Sequence, residues 1–367
     1  MKAAERLRLR RTRMSALGLS PALGTAAAPA PALEVVRRVG ALQAQDYHSG
    51  MWSLGVRSGL TLAEIEGAVV RREIVRTSPM RGTIHLVPAE DARWMCRLLG
   101  VPSGASLRSR HAELGISPND VELAGRIFEE HLAEPMSRSD VAALLVAHRI
   151  DPAGQRAYHL IGYHCMSGLL CQGPLIGRQP SFVLLDAWTP ASAEPSREQA
   201  LLTLAERYVR GHGPVTEKDL AGWINRPLAF TREALTLAGD RLVREEVDGH
   251  VWLTHIDAVG GEGHAGVQLL PQWDEFLLGY KSRDVTLPPR HFRSVVPGRN
   301  MVFTPTLVVD GQVAGTWRRV ARSRRTLVEV TPFSKVSART WRGVQRSAAA
   351  YGRFLGADVE VRLSGEC

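Results

Sequence analysis

The 367-residue chain predicts an α+β protein, on three observations. A hydroxyl residue followed three positions later by a carboxylate opens an apolar run at Thr61-Leu-Ala-Glu64, Ser137-Arg-Ser-Asp140 and Thr216-Glu-Lys-Asp219, at intervals of 76 and 79 residues. This spacing is a capping box, in which side chain and backbone satisfy the unpaired amides at a helix start. Each copy is followed by short β-prone runs around a turn, and from about residue 264 the texture changes to strands.

Taken in order, residues 2–17 read as a basic helix and Ser20 to Pro31 (SPALGTAAAPAP) as a Pro/Ala linker. Glu34 to Leu42 carries apolar residues at 35, 36, 39 and 42, a helical period. Gln43 and Gln45 follow, next to Asp46, Tyr47 and His48. On a helix the two glutamines diverge by about 200°, whereas in an extended segment both face one way. A shared site therefore requires the backbone to leave helical geometry near Leu42.

Thr61 then opens the run Ile65, Ala68, Val69. Each copy is expected to continue with a second helical segment and a hairpin. In the first, the hairpin runs Ile74–Thr77 and Arg81–Val87. In the second, Ala157 to Leu170 looks helical and Leu175 to Leu185 reads as the hairpin. In the third, Thr231 to Leu237 is helical and Leu242 to Leu253 turns at Asp248-Gly249. Helix, turn, helix, β-hairpin is the winged-helix plan, here three times in tandem. Such units also serve as protein–protein adaptors, but several copies in a basic chain favour DNA.

Beyond them, Val267 to Pro271, Phe292 to Phe303 and Thr306 to Trp317 read as strands, with turns at Pro297–Asn300 and Asp310-Gly311. A small antiparallel barrel or curled sheet is expected. The terminal helix, Ala338 to Leu355, puts Trp341, Val344, Ala348 and Tyr351 on one face and gives way to a last strand, Val359 to Leu363. The boundaries drawn from this are 1–112, 113–190, 191–262 and 263–367.

Hydrophobic content of 44% and charged content of 23% fit an ordinary globular protein. No apolar run reaches membrane-spanning length, and the basic N-terminus lacks the apolar core of a signal peptide, so the cytoplasm is expected. The net charge of +9 favours a polyanionic partner, nucleic acid first. Lysine occurs only at 2, 218, 281 and 335, so the charge is nearly all arginine, which a GC-rich genome also produces. Cys96, Cys165, Cys171 and Cys367 form no CxxC pair, and His159 diverges from His164-Cys165 on a helix. We expect packing cysteines, no disulfide, no metal and no cofactor.

Glutamine neither accepts nor releases a proton near neutral pH, but it can hold a water or a base edge through one carbonyl and one amide. That suits a reaction whose leaving group is already activated. Read alone, two glutamines at a helix end are surface residues.

The context changes that reading. Gly40-Ala-Leu-Gln-Ala-Gln-Asp46, Arg76-Thr-Ser-Pro-Met-Arg-Gly-Thr-Ile-His-Leu86, Leu269-Leu-Pro-Gln-Trp-Asp274, Leu278-Gly-Tyr280 and Asp310-Gly-Gln-Val-Ala-Gly-Thr-Trp317 stand in one order. Over essentially its full length the chain resembles the AlkZ/YcaQ family of bacterial winged-helix DNA glycosylases. The resemblance implies a C-shaped array of three tandem winged helices with a β-domain, its basic concave face turned to duplex DNA. It also implies excision of N7-alkylated guanine and unhooking of interstrand crosslinks by a monomer. The family's catalytic signature, Gln, an apolar residue, then Gln or Asp, lands on Gln43, Ala44 and Gln45. The Gln-x-Gln form resembles the branch that protects antibiotic producers from their own DNA-alkylating product. The YcaQ-like branch has Asp third, so Gln45 puts an ionised general base in doubt.

N7 alkylation makes guanine cationic, so the base departs neutral without a general acid. What remains is an oxocarbenium-like sugar and delivery of water, which two amides can supply by orientation. Asp46 is the candidate for cation stabilisation, set against a capping role. A bulky adduct resists extrusion into a closed pocket, so an open cleft is expected. Tyr47, His48 and Trp52 could contact the lesion, and Arg81 and His85 sit on the first wing, Arg81 towards phosphate. Tyr280, Lys281 and Arg283 are candidates for clamping the backbone, and Arg299 for probing the minor groove. The rival reading is a winged-helix transcriptional regulator.

Overall fold

The computed structural model describes residues 2–20, 29–101, 105–258, 266–298, 302–321 and 326–364. Along the chain these give α1 (Ala3–Ala16), α2 (Ala32–Val39), β1 (Leu42–Gln43), α3 (Tyr47–Ser58), α4 (Leu62–Val70), β2 (Ile74–Met80), β3 (Thr83–Pro88) and α5 (Ala92–Met95). After a π-helical turn, Cys96–Gly100, come α6 (Ala105–Glu113), α7 (Pro118–His131), β4 (Met136–Ser137), α8 (Arg138–Ala147), α9 (Arg156–Met166), β5 (Leu170–Gln172), β6 (Ser181–Leu184) and α10 (Leu185–Trp188). Then follow α11 (Arg197–His212), α12 (Glu217–Ile224), α13 (Leu228–Leu237), β7 (Leu242–Val247), β8 (His250–His255), β9 (Val267–Leu270), α14 (Glu275–Leu278) and α15 (Phe292–Val295). The last elements are β10 (Thr306–Val309), β11 (Gln312–Ala321), β12 (Thr326–Pro332), α16 (Ala338–Leu355) and β13 (Val359–Leu363). The fold is mixed α and β throughout.

The chain divides into two compact units, Met1–Ile65 with Leu201–Cys367, and Glu66–Ala200. In the second, β3, β2, β5, β6 and β4 lie side by side in that order. Its core gathers Ala124, Ile127 and Phe128 of α7, Val141 and Leu145 of α8, and Leu160, Ile161 and Cys165 of α9. In the first, the sheet order is β13-β12-β11-β10-β9. Pairing is antiparallel except for β12 and β13, which run parallel because α16 carries the chain across between them. The expectation of a purely antiparallel sheet is corrected at that edge.

All three capping signatures form. The Thr61 amide donates to Glu64 Oε2 at 2.7 Å while Glu64 N–H donates to Thr61 Oγ1 at 3.3 Å. Asp140 N–H donates to Ser137 Oγ at 3.2 Å, and Thr216 and Asp219 make the reciprocal pair at 2.9 and 3.3 Å. The turns Arg81-Gly82, Asp248-Gly249 and Asp310-Gly311 each put both central residues at positive φ, the geometry whose twist matches antiparallel strands.

Three expectations are corrected. No helix separates α4 from β2 in the first copy, because Arg72 at φ 62° ends the helix two residues before the strand. In the second copy the first hairpin strand is Leu170–Gln172, not the run from Leu175. Pro174 and Pro180, which lack an amide donor, hold 174–180 as a loop closed by Ile176 and Gln179. Phe292–Val295 is a short helix rather than a strand, launched by Pro288-Pro289 through a 3-10 turn at Pro289–His291. The tip of that expected hairpin, with Arg299, and most of the Ser20–Pro31 linker (21–28) lie outside the described residues.

Candidate active site

The site begins with α2, whose Val35, Val36 and Val39 are buried and which Gly40 ends at φ 88°. An L-residue pays a steric penalty there, so glycine turns the chain out of the helix. Leu42 and Gln43 are extended as β1, and burial then alternates along the segment. Leu42 and Ala44 are buried, Gln43 and Gln45 half-buried, and Asp46 exposed. The backbone leaves helical geometry at Leu42, as a shared amide site requires, and both glutamines are half-buried, Gln43 in the strand and Gln45 in the bend after it. Gln43 Oε1 is shielded from solvent and, among the described residues, accepts no hydrogen bond.

Asp46 is the N-cap of α3, its Oδ1 accepting from Ser49 N–H at 2.8 Å. The capping role weighed for it is real, and its exposed carboxylate also faces outward from the same turn. Gly50, one turn into α3, lets the helix lie directly on the Gln-Ala-Gln backbone. A Cβ there would stand 2.6 Å from Ala44 Cβ and 2.7 Å from Ala44 Cα. Tyr47 is half-buried with its ring edge-on to the exposed His48, 5.9 Å between centroids.

A buried network fixes the far side of α3. Arg57 Nη1 and Nη2 donate to Asp274 Oδ2 and Oδ1, both at 2.7 Å, and Ser53 Oγ donates to Oδ2 at 2.7 Å. Arg57 Nε also donates to Leu17 O at 2.9 Å. Such a bidentate pair, removed from water, holds one geometry, and deleting either partner strands a buried charge. The motif residue Asp274 is thus a strut under α3 and the cap of α14.

Several candidates prove to be structural. Trp52 is 3% exposed, donates through Nε1 to Leu269 O at 2.8 Å and packs edge-on against Tyr351, so it cannot stack on a lesion. Tyr280 is 2% exposed, its hydroxyl donating to His212 O at 2.8 Å and its ring 3.8 Å beneath the Arg13 guanidinium. Burial pushes its hydroxyl pKa up, and it has no free face for DNA. Arg283 is half-buried, with Nε donating to Leu277 O at 2.8 Å. Only Lys281 of that trio is exposed. In the second unit, His85 is fully buried; its Nδ1 lies 2.8 Å from Thr83 O and its Nε2 accepts from Arg81 Nη2 at 2.8 Å. His85 therefore holds Arg81, which remains half-exposed at the hairpin turn.

Tyr351, read from the sequence only as a core position of α16, senses the Asp46 charge. Burial pushes the Tyr351 hydroxyl up, an adjacent hydrogen-bonding Arg319 pulls it down, and the Asp46 carboxylate raises it further. Tyr351 read as one more core position of a helix, and nothing in the local sequence marks it otherwise. Among the described residues no helix is long and apolar enough to cross a membrane.

The chain has recognisable relatives. The family model for AlkZ-like DNA glycosylases matches residues 36–354. An interstrand DNA cross-link repair glycosylase of Streptomyces sahachiroi is 26% identical over 356 residues, covering 90% of this chain and 93% of that protein. The solved structure of the DNA glycosylase AlkZ from Streptomyces sahachiroi superposes with a TM-score of 0.80 at 24% identity, covering 99% of this chain and all of that one, which establishes the common fold. The chain belongs to the AlkZ-like DNA glycosylase family and is a DNA glycosylase.

Proposed function

We propose that the chain hydrolyses the N-glycosidic bond of N7-alkylguanine in duplex DNA, as a bulky adduct or an interstrand crosslink, with water held by Gln43 and Gln45. The observation that carries this is the unpartnered, solvent-shielded Oε1 of Gln43 beside a second half-buried amide. A buried carbonyl oxygen with no protein donor costs about 1–3 kcal/mol unless a water pairs with it, and in this reading that water is the nucleophile. The C–N bond breaks with its electron pair going to the cationic purine, which leaves neutral. Water adds at C1′ and its proton passes to solvent. Asp46, exposed at the same turn, supplies negative charge opposite the developing sugar cation.

The repeated capped helix and hairpin are read as three winged-helix units over 1–112, 113–190 and 191–262, with a barrel-like β-domain from 263. They act as a monomer on duplex DNA, with Arg81 and Lys281 on phosphate, Arg299 in the minor groove, and Tyr47 and His48 at the lesion. The relative named for cross-link repair supports the crosslink as substrate, and the biological setting we infer is DNA repair or self-resistance to a genotoxic product. A transcriptional regulator has no use for a water-holding amide pair, and the family match does not favour it. Release of free 7-methylguanine from N7-methylated duplex DNA tests the reading. Gln45→Ala is expected to slow release by about a hundredfold, the usual effect of deleting one oriented dipole. Release at an unchanged rate contradicts the mechanism.

A further inference from the structure

The outward face of α16 is unusual for a surface helix. Its eighteen residues, ARTWRGVQRSAAAYGRFL, contain no acidic side chain and four arginines at 339, 342, 346 and 353, all exposed. At 3.6 residues per turn these four fall within about 60° of one another, opposite the face formed by Val344, Ala348 and Tyr351. An amphipathic helix puts any polar residue on its solvent face; what sets this face apart is that its charges are all of one sign.

Among the described residues none of the four makes an ion pair or a side-chain hydrogen bond. Their placement also works against the isolated helix. Arg339 lies in the first turn, at the positive end of the helix dipole. The i, i+3 pair Arg339–Arg342 and the i, i+4 pair Arg342–Arg346 set like charges against each other. Where the next turn of the stripe would project, the chain has Ala349 and Ala350. Beside it lies a cavity of about 250 Å³ lined by Gly55, Gly59, Gly343, Arg346 and Arg353, so the surface is recessed between the cations. Repulsion of this kind is relieved by a linear polyanion. The stripe spans about 21 Å at 1.5 Å per residue, roughly six base pairs of rise.

We propose that the solvent face of α16 is a DNA-backbone track, on which Arg339, Arg342, Arg346 and Arg353 neutralise phosphates of the duplex that carries the lesion. This rests on the reading of duplex DNA as substrate and adds to it a binding surface built on a helix outside the winged-helix units. Each phosphate neutralised contributes about 0.9 to the slope of log affinity against log salt.

The test compares wild type, the fourfold Arg→Gln variant and the fourfold Arg→Lys variant for affinity towards an undamaged duplex across a salt series. The Arg→Gln variant is expected to lose two to four units of slope and about ten- to a hundredfold in affinity at moderate salt, with the Arg→Lys variant near wild type. Its melting temperature should hold or rise, since repulsion has been removed. An unchanged slope overturns the proposal, and so does a slope lost only together with the fold; an acidic protein partner for the stripe would appear as the first of these. Gln45→Ala, run in parallel, reports on the glycosylase reading separately, since it should lose base release while keeping the wild-type slope.

Discussion

Gln43 and Asp46 are three residues apart, yet the fold treats them differently. Gln43 has its acceptor oxygen shut away from water with no donor offered, whereas the Asp46 carboxylate spends one oxygen on the Ser49 amide and keeps the rest outward. These two roles can be separated, because asparagine caps a helix about as well as aspartate. Asp46→Asn should leave the melting temperature unchanged and slow base release by about tenfold, through loss of charge at the sugar cation. An unaltered rate would reduce Asp46 to a cap. The glutamine pair was legible in the sequence only through the order of the motifs around it, since two glutamines at a helix end otherwise read as surface. The side chains around it were not. Trp52, His85 and Tyr280 are residue types that serve equally as ligands and as core, and only their burial at 3%, 0% and 2% decides between the two.

At the scale of elements, the helix starts could be read directly, since a capping box is a local device whose two partners lie three residues apart. Strand edges depended on context. Pro174 and Pro180 moved the second hairpin, and a proline pair turned Phe292–Val295 into a helix. The close approach of α3 to the glutamine turn had no signal beyond a glycine. Gly50→Ala should push the Ala44 backbone, and both amides with it, by a fraction of an ångström. A loss of about ten- to a hundredfold in base release, with DNA affinity retained, is expected, since misplacement by 1 Å costs about that much. Wild-type release would show that the contact is incidental.

The second unit carries its own pH dependence. Burial lowers the His164 pKa from 6.5 to about 4, with Nε2 3.0 Å from Val121 O. The unfolded chain takes up this proton near 6.5 and the folded one only near 4. Stability is therefore complete above about pH 6.5 and falls towards pH 4, by up to about 3 kcal/mol. Urea unfolding at pH 7 and 4.5 should show this loss in wild type and a smaller one in His164→Gln. Equal losses would rule out His164 as the cause.

For the molecule as a whole, composition pointed to a polyanion without distinguishing function from a GC-rich genome. Order and spacing of motifs did more, because a match over residues 36–354 involves every element from α2 to α16. What the sequence could not reveal were the long-range struts. Arg57 and Asp274 are 217 positions apart, and their pairing emerges only when α3 and the β9–α14 connection are brought together. The proposed mechanism needs that frame to hold two uncharged amides still while the alkylated purine departs as a neutral base. The most direct measurement is single-turnover release of 7-methylguanine from a duplex, with Gln43→Ala and Gln45→Ala compared with wild type at saturating enzyme. The account expects each variant to be slower by about a hundredfold or more while still binding the duplex. Release by both variants within twofold of wild type would contradict it.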